Sequence, residues 1–212
     1  GDTPQTHSPL PKKWFELAST LSFERLKIVS THLSRYDWSV KFLFELKDGA
    51  LIETVLMPEK QRLTLCVSSQ VGCRQNCTFC DTGRMGLKRN LTTHEIVLQW
   101  VTVNTWLRQN RNMLPEEFYP LKTKLSNIVF MGMGEPLDNV ENIVKSVEIL
   151  TDPWGPQLAR RKITISTAGY LPGLLKLKES DLRVSLALSV HSVKSMLRTQ
   201  LLPIQRLYPL AE

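Results

Sequence analysis

Four cysteines carry the most specific chemical signal in the chain, and all of them, Cys66, Cys73, Cys77 and Cys80, fall within fifteen residues. A disulfide framework scatters its cysteines to staple distant loops, so this clustering reads as a metal site in a reducing compartment. Cys73, Cys77 and Cys80 have the spacing C-x3-C-x2-C, in a loop that follows an expected strand. Three thiolates can hold a four-iron, four-sulfur (4Fe-4S) cluster and leave one iron open to a substrate or cofactor. The other reading is a zinc knot with Cys66 as its fourth ligand. Against it, zinc sites favour paired C-x2-C knuckles, and here six residues separate Cys66 from Cys73.

The chain that must position these thiols has 212 residues, 42% hydrophobic and 22% charged, the composition of a globular protein. No apolar run approaches the roughly 20 residues of a membrane helix. The opening GDTPQTHSPLPK lacks the apolar centre of a secretory signal. Membrane and secreted classes are thereby disfavoured, and a cytoplasmic location is expected. Lysine and arginine exceed aspartate and glutamate by seven, which fits a polyanionic partner without demanding one.

Residues 1–12, polar and proline-rich, read as a flexible lead. Over residues 13–36, apolar positions three to five apart, with Ser22 placed as a cap, predict a short helical appendage. Residues 37–62 change period. Two β-prone runs flank Lys47-Asp48-Gly49, and Asp-Gly between such runs predicts a two-stranded β-ribbon. From 63 to 212 strands alternate with helices: strands at 63–71, 125–131, 162–167 and 184–190, helices at 93–108, 140–150, 171–178 and 192–201. The fold class is α/β, about four βα units of a parallel sheet, open or closed into a barrel, behind the ribbon and the appendage. The last expected strand has no partner on its far side, so the barrel reads as partial, with C-terminal units missing.

With Phe79 before its third cysteine, the C-x3-C-x2-C run resembles the signature of radical S-adenosylmethionine (SAM) enzymes. The resemblance narrows through TLCVSSQVGCRQNCTFCDTG, RNLTTHEI, MGMGEPLDN, RKITISTAG and LSVH, which come in the order seen in the RlmN and Cfr family of radical RNA methyltransferases. It implies a partial barrel of the radical SAM type and methylation of an adenosine carbon, C2 first and C8 as the antibiotic-resistance alternative. The substrates implied are large-subunit ribosomal RNA or transfer RNA, the cofactors a 4Fe-4S cluster and S-adenosylmethionine, and the electron donor a flavodoxin or ferredoxin.

By position, Cys73, Cys77 and Cys80 match the family's cluster ligands and Phe79 its cofactor-side aromatic. Gly134 and Glu135 match the segment that receives the amino group of S-adenosylmethionine. Ser166, and Ser189, Val190 and His191, match cofactor contacts on later strands. Read alone, Ser166, Ser189 and His191 are equally ordinary strand-end polar residues satisfied by backbone. Cys66 matches a catalytic thiol that helps remove a proton and forms a transient disulfide, whereas a strand cysteine taken alone reads as a buried inert thiol. Glu53 matches a glutamate near the substrate base; taken alone it is an exposed strand carboxylate. The family carries its methyl group on a second cysteine near the C-terminus, and no cysteine follows Cys80 here. The chain therefore reads as a fragment of a longer enzyme or as a catalytically incomplete relative that binds cluster and cofactor. Arg84, Lys88, Arg89, Arg108, Arg111, Lys122 and Lys124 are the expected phosphate contacts.

Overall fold

The computed structural model describes residues 24–59, 62–115, 118 and 124–210. The Asp-Gly hairpin forms. β2 (Val40–Glu45) pairs antiparallel with β3 (Leu51–Glu59), and Gly49 turns the chain at φ +79° while Asp48 Oδ1 accepts from Ala50 N at 3.1 Å. Positive φ is cheap only without a Cβ, which is why glycine holds that position.

The ribbon is not a separate unit. β1 (Lys27–Leu33) flanks β2, β4 (Arg62–Cys66) flanks β3, and the four strands are the antiparallel part of a seven-stranded sheet. β7 (Asn127–Phe130), β8 (Ile163–Thr167) and β9 (Ser185–Leu188) extend it parallel to β4, in the order β1-β2-β3-β4-β7-β8-β9. Between β4 and β7 run β5 (Gln70–Val71) and β6 (Arg89–Asn90), a second small sheet, and α1 (Asp81–Arg84). α2 (Thr93–Gln109), α3 (Val140–Thr151), α4 (Leu171–Glu179) and α5 (Ser195–Leu201) follow.

Two expectations need correction. The helical appendage over 13–36 is a strand where it is described: Lys27–Leu33 pairs with β2, with a register shift between Ile28 and Ser30. Residues 13–23 lie outside the described residues. Ile28, Val29 and Thr31 are β-branched, and the open edge of β2 supplies the partner that a three-to-five spacing cannot reveal. The strand expected over 63–71 stops at Cys66. Gln99 of α2 takes over there, accepting from Ser68 N at 2.8 Å and donating to Ser68 O at 3.0 Å, and Gln70–Val71 turns to β6.

Strand alternation separates the two faces of the large sheet. Phe42, Phe44, Ile52, Leu65, Phe130 and Ile165 are fully buried in one core with Ile96, Val103 and Val147 of the helices. Each such side chain contributes roughly 1.5–3 kcal/mol of burial. The opposite face carries Lys41, Glu53, Cys66, Thr164, Ser166 and Ala187, none of them fully buried.

Candidate functional site

The parallel strands β4, β7, β8 and β9 end on one side, and the segments after them border an open cavity of about 320 Å³. Cys73, Cys77 and Cys80 line it, with Phe79, Gly134 and Glu135 and with Ser166, Ser189 and His191. Residues from four chain segments, more than a hundred positions apart at the extremes, thus meet at one place.

The cysteine loop is closed by two glycines. Cys73 N donates to Gly86 O at 3.2 Å, and Gly72, at φ +76°, would place a Cβ only 1.8 Å from that oxygen. Arg74, between the first two cysteines, pairs with Asp138 at 2.8 Å, and Gln70 Nε2 donates to the same carboxylate at 2.9 Å. Behind the loop, Thr78 N donates to Leu201 O at 3.1 Å. All four cysteines are free thiols. Burial pushes the Cys73 thiol up to about 11; burial, then the nearby Cys80 and Glu135 charges, also raises Cys77.

Glu135 is 4% exposed and caps the turn Pro136–Asn139. Its Oε1 accepts from Leu137 N at 3.1 Å and its Oε2 from Ala168 N at 2.8 Å. Burial outweighs these bonds and holds the carboxyl above its ordinary value. Gly134 precedes it at φ +102°, where a Cβ would lie 2.5 Å from the Gln70 side chain. Gln70 Oε1 in turn accepts from Glu135 N at 2.8 Å.

On the far wall Ser166 and Ser189 Oγ atoms are 3.4 Å apart, a diagonal contact, since Ser166 opposes Ala187 and Ser189 follows two residues later. His191 takes φ +56° and its ring lies 4.4 Å from that of Phe79, tilted by 38°. Val190 does not line the cavity; its carbonyl accepts from Arg198 Nε at 3.2 Å.

Cys66 and Glu53 stand outside the cavity wall. Cys66 ends β4 beside it, its sulfur within hydrogen-bonding reach of the backbone of Met131, a wall residue, and burial pushes the thiol up to about 11. Cys66 opposes Val55, so Glu53, two residues earlier, shares its face of the sheet one strand away. The Glu53 carboxylate pairs with Lys41 at 3.0 Å.

The residues fit an iron-sulfur cluster better than a zinc knot. Three soft thiol donors face one cavity and Cys66 does not join them. Among the described residues no three His, Cys, Asp or Glu side chains converge as a single ion requires. A cubane takes its thiolates at separate corners and needs no such convergence. Sequence reasoning missed Gln70, Gln99 and Asn139, whose amides tie the loops together; Asn139 Nδ2 donates to Ser69 O and Leu91 O, both at 2.8 Å. The one available signal was a polar residue at a helix's apolar position, as for Gln99 between Ile96 and Val103.

Residues 67–202 match the radical SAM superfamily, which leaves β1–β4 outside the match. The chain is 41% identical over 208 residues to the probable dual-specificity RNA methyltransferase RlmN of Dictyoglomus thermophilum, covering 98% of this chain and 56% of that relative. It is 42% identical over 191 residues to the dual-specificity RNA methyltransferase RlmN of Bdellovibrio bacteriovorus, covering 90% of this chain and 44% of the relative. Among solved structures, a radical SAM methyltransferase from Sphaerobacter thermophilus superposes with a TM-score of 0.80 at 40% identity, over 95% of this chain and 56% of that one. The chain thus spans about half the length of the curated relatives it matches. Among the described residues no helix is long and apolar enough to cross a membrane.

Proposed function

The chain belongs to the radical SAM superfamily, in its RlmN-type branch, and from that membership we propose that it is the cluster- and cofactor-binding part of an RNA methyltransferase acting on C2 of adenosine in ribosomal or transfer RNA. One observation carries the reading: the three C-x3-C-x2-C thiols, Glu135 and the strand-end groups Ser166, Ser189 and His191 line a single cavity. An aromatic C2–H carbon is electrophilic, so simple displacement by a methyl donor fails there and a radical route is needed. A bound 4Fe-4S cluster supplies the reducing electron for that route, delivered by a flavodoxin- or ferredoxin-type donor.

Cys73, Cys77 and Cys80 would hold the cluster. Glu135 would accept the amino group of S-adenosylmethionine, a charge-assisted bond in a site with little water, and Gly134 lets the backbone come close. Ser166, Ser189 and the Val190–His191 segment would orient the rest of the cofactor beside the Phe79–His191 ring contact. Cys66, protonated at neutral pH, would exchange a proton beside the substrate base, and Glu53 on the same face would meet that base.

A second reading in the same family is a protein that binds cluster and cofactor without methyl transfer. Anaerobic reconstitution, reduction, and incubation with methyl-labelled S-adenosylmethionine and an adenosine-containing RNA separate the readings. The expected result is one cluster per chain, slow cofactor cleavage that depends on Cys73, Cys77 and Cys80, and no labelled base. Labelled 2-methyladenosine would show that this chain suffices, and labelled 8-methyladenosine would move the target carbon. Failure to bind iron at all rejects the cluster reading.

A further inference from the structure

Arg198, on α5, is only 1% exposed, yet every acceptor it meets is neutral. Nε donates to Val190 O at 3.2 Å, Nη2 donates to Ala168 O at 2.7 Å, and Nη1 donates to Gln205 Oε1. Among the described residues it makes no ion pair. A guanidinium taken out of water without a counter-charge is costly, because hydrogen bonds to neutral dipoles replace only part of its hydration.

The counter-charge has an obvious place. Ala168 is both a wall residue of the cavity and an acceptor for Arg198, and it packs with Leu202 and Ile204 against Cys77. The loop carrying Cys77 is bonded to α5 itself through Thr78 N and Leu201 O. Arg198 is near enough to Cys77 for a direct charge interaction. A cluster held by three thiolates is anionic, and it gains a further negative charge when it accepts one electron from a low-potential donor.

Resting on the reading that Cys73, Cys77 and Cys80 hold that cluster, we propose that Arg198 is its buried counter-cation, a positioning residue that favours the reduced cluster and fixes the strand ends Ala168 and Val190 around the cofactor. The Coulomb attraction of one unit charge for one added electron, across a partly buried path, is of a size to change the reduction equilibrium at least about tenfold.

The test is a redox titration of the reconstituted protein with dithionite, followed by electron paramagnetic resonance, on the wild type and three variants. Arg198→Gln removes the charge, Arg198→Lys keeps it without the fork, and Gln205→Glu is isosteric and cancels the charge while leaving the arginine in place. Arg198→Gln and Gln205→Glu should each make reduction about tenfold harder, about 59 mV more negative for a one-electron couple. Arg198→Lys should stay within about threefold of wild type. Gln205→Glu keeps the test decisive if Arg198→Gln does not fold. A wild-type midpoint in Gln205→Glu, or a tenfold shift in Arg198→Lys, overturns the proposal. A wild-type chain that binds no iron overturns the cluster reading instead, so the two failures are distinguishable.

Discussion

Glu135 and Ala168 join the segments that follow two neighbouring parallel strands, with Glu135 Oε2 accepting from Ala168 N at 2.8 Å while Oε1 accepts from Leu137 N at 3.1 Å. In Glu135→Gln one carboxylate oxygen becomes an amide that faces a backbone N–H, and the negative charge is lost. Losing a charge-assisted bond costs about 1.5–3 kcal/mol, so S-adenosylmethionine should bind at least about tenfold more weakly while iron content is unchanged. Equilibrium dialysis with labelled cofactor on the reconstituted variant checks this; wild-type affinity would remove Glu135 from the cofactor site.

Cys66 should behave as a suppressed nucleophile. Its thiol ionises near 11 rather than near the ordinary 9.0, because burial disfavours the thiolate. Alkylation by iodoacetamide at neutral pH should therefore run roughly a hundredfold below that of an exposed cysteine and rise about tenfold per pH unit. The linkage runs the same way: between about 9 and 11 only the unfolded chain releases this proton, so stability falls as pH rises through that window. Cys66→Ala should retain iron, whereas alanine at Cys73, Cys77 or Cys80 should lose it. Mass-spectrometric labelling across pH and an iron assay decide both points, and iron loss in Cys66→Ala would restore the four-cysteine metal site.

Gly72 admits no side chain. A Cβ there would sit 1.8 Å from the Gly86 carbonyl oxygen, at a φ of +76° that other residues avoid. Gly72→Ala must break the Cys73 N to Gly86 O bond or displace the loop, at a cost of roughly 2–4 kcal/mol. Thermal unfolding should drop accordingly and cluster assembly should fail. Gly86→Ala, with nothing within 4 Å of its Cβ position but a positive φ, should be milder. Equal effects from the two variants would count against the steric argument.

What the sequence made legible was local. The Asp48-Gly49 turn and the cysteine spacing each lie within a few residues of their partners. The strand and helix alternation from β4 onward is legible for the same reason. β1 was not, because its strand character depends on the open edge of β2 rather than on its own spacing. The end of β4 was hidden because it depends on Gln99, 31 residues away. Gln70 meets Glu135 across 65 positions, and Arg198 meets Ala168 across 30. Nothing in the neighbourhood of either residue announces such a partner.

Arg89 was expected among the phosphate contacts, but its guanidinium is committed elsewhere. Nη1 and Nη2 both donate to the Glu95 carboxylate at 2.8 Å and Nε donates to Asp48 at 2.8 Å, which holds Arg89 above its ordinary value and Asp48 down to about 2. It staples the β2–β3 turn to the start of α2. Arg84, Lys88, Arg108 and Lys124 are exposed; Lys122 and the side chain of Arg111 lie outside the described residues. With a net charge of +7, RNA binding should be weak and salt-sensitive. Each phosphate contact contributes about 0.9 to the slope of log affinity against log salt on duplexes, somewhat less on single strands. Lys88→Gln should lower that slope by about one contact. Arg89→Gln should leave it unchanged and instead lower the unfolding midpoint, since part of its network is shielded from solvent and charged hydrogen bonds are lost. Filter binding of ribosomal RNA fragments over a salt series reads the first effect and thermal denaturation the second. A slope reduced by Arg89→Gln with an unchanged midpoint would mean that the arginine leaves its two carboxylates to bind RNA.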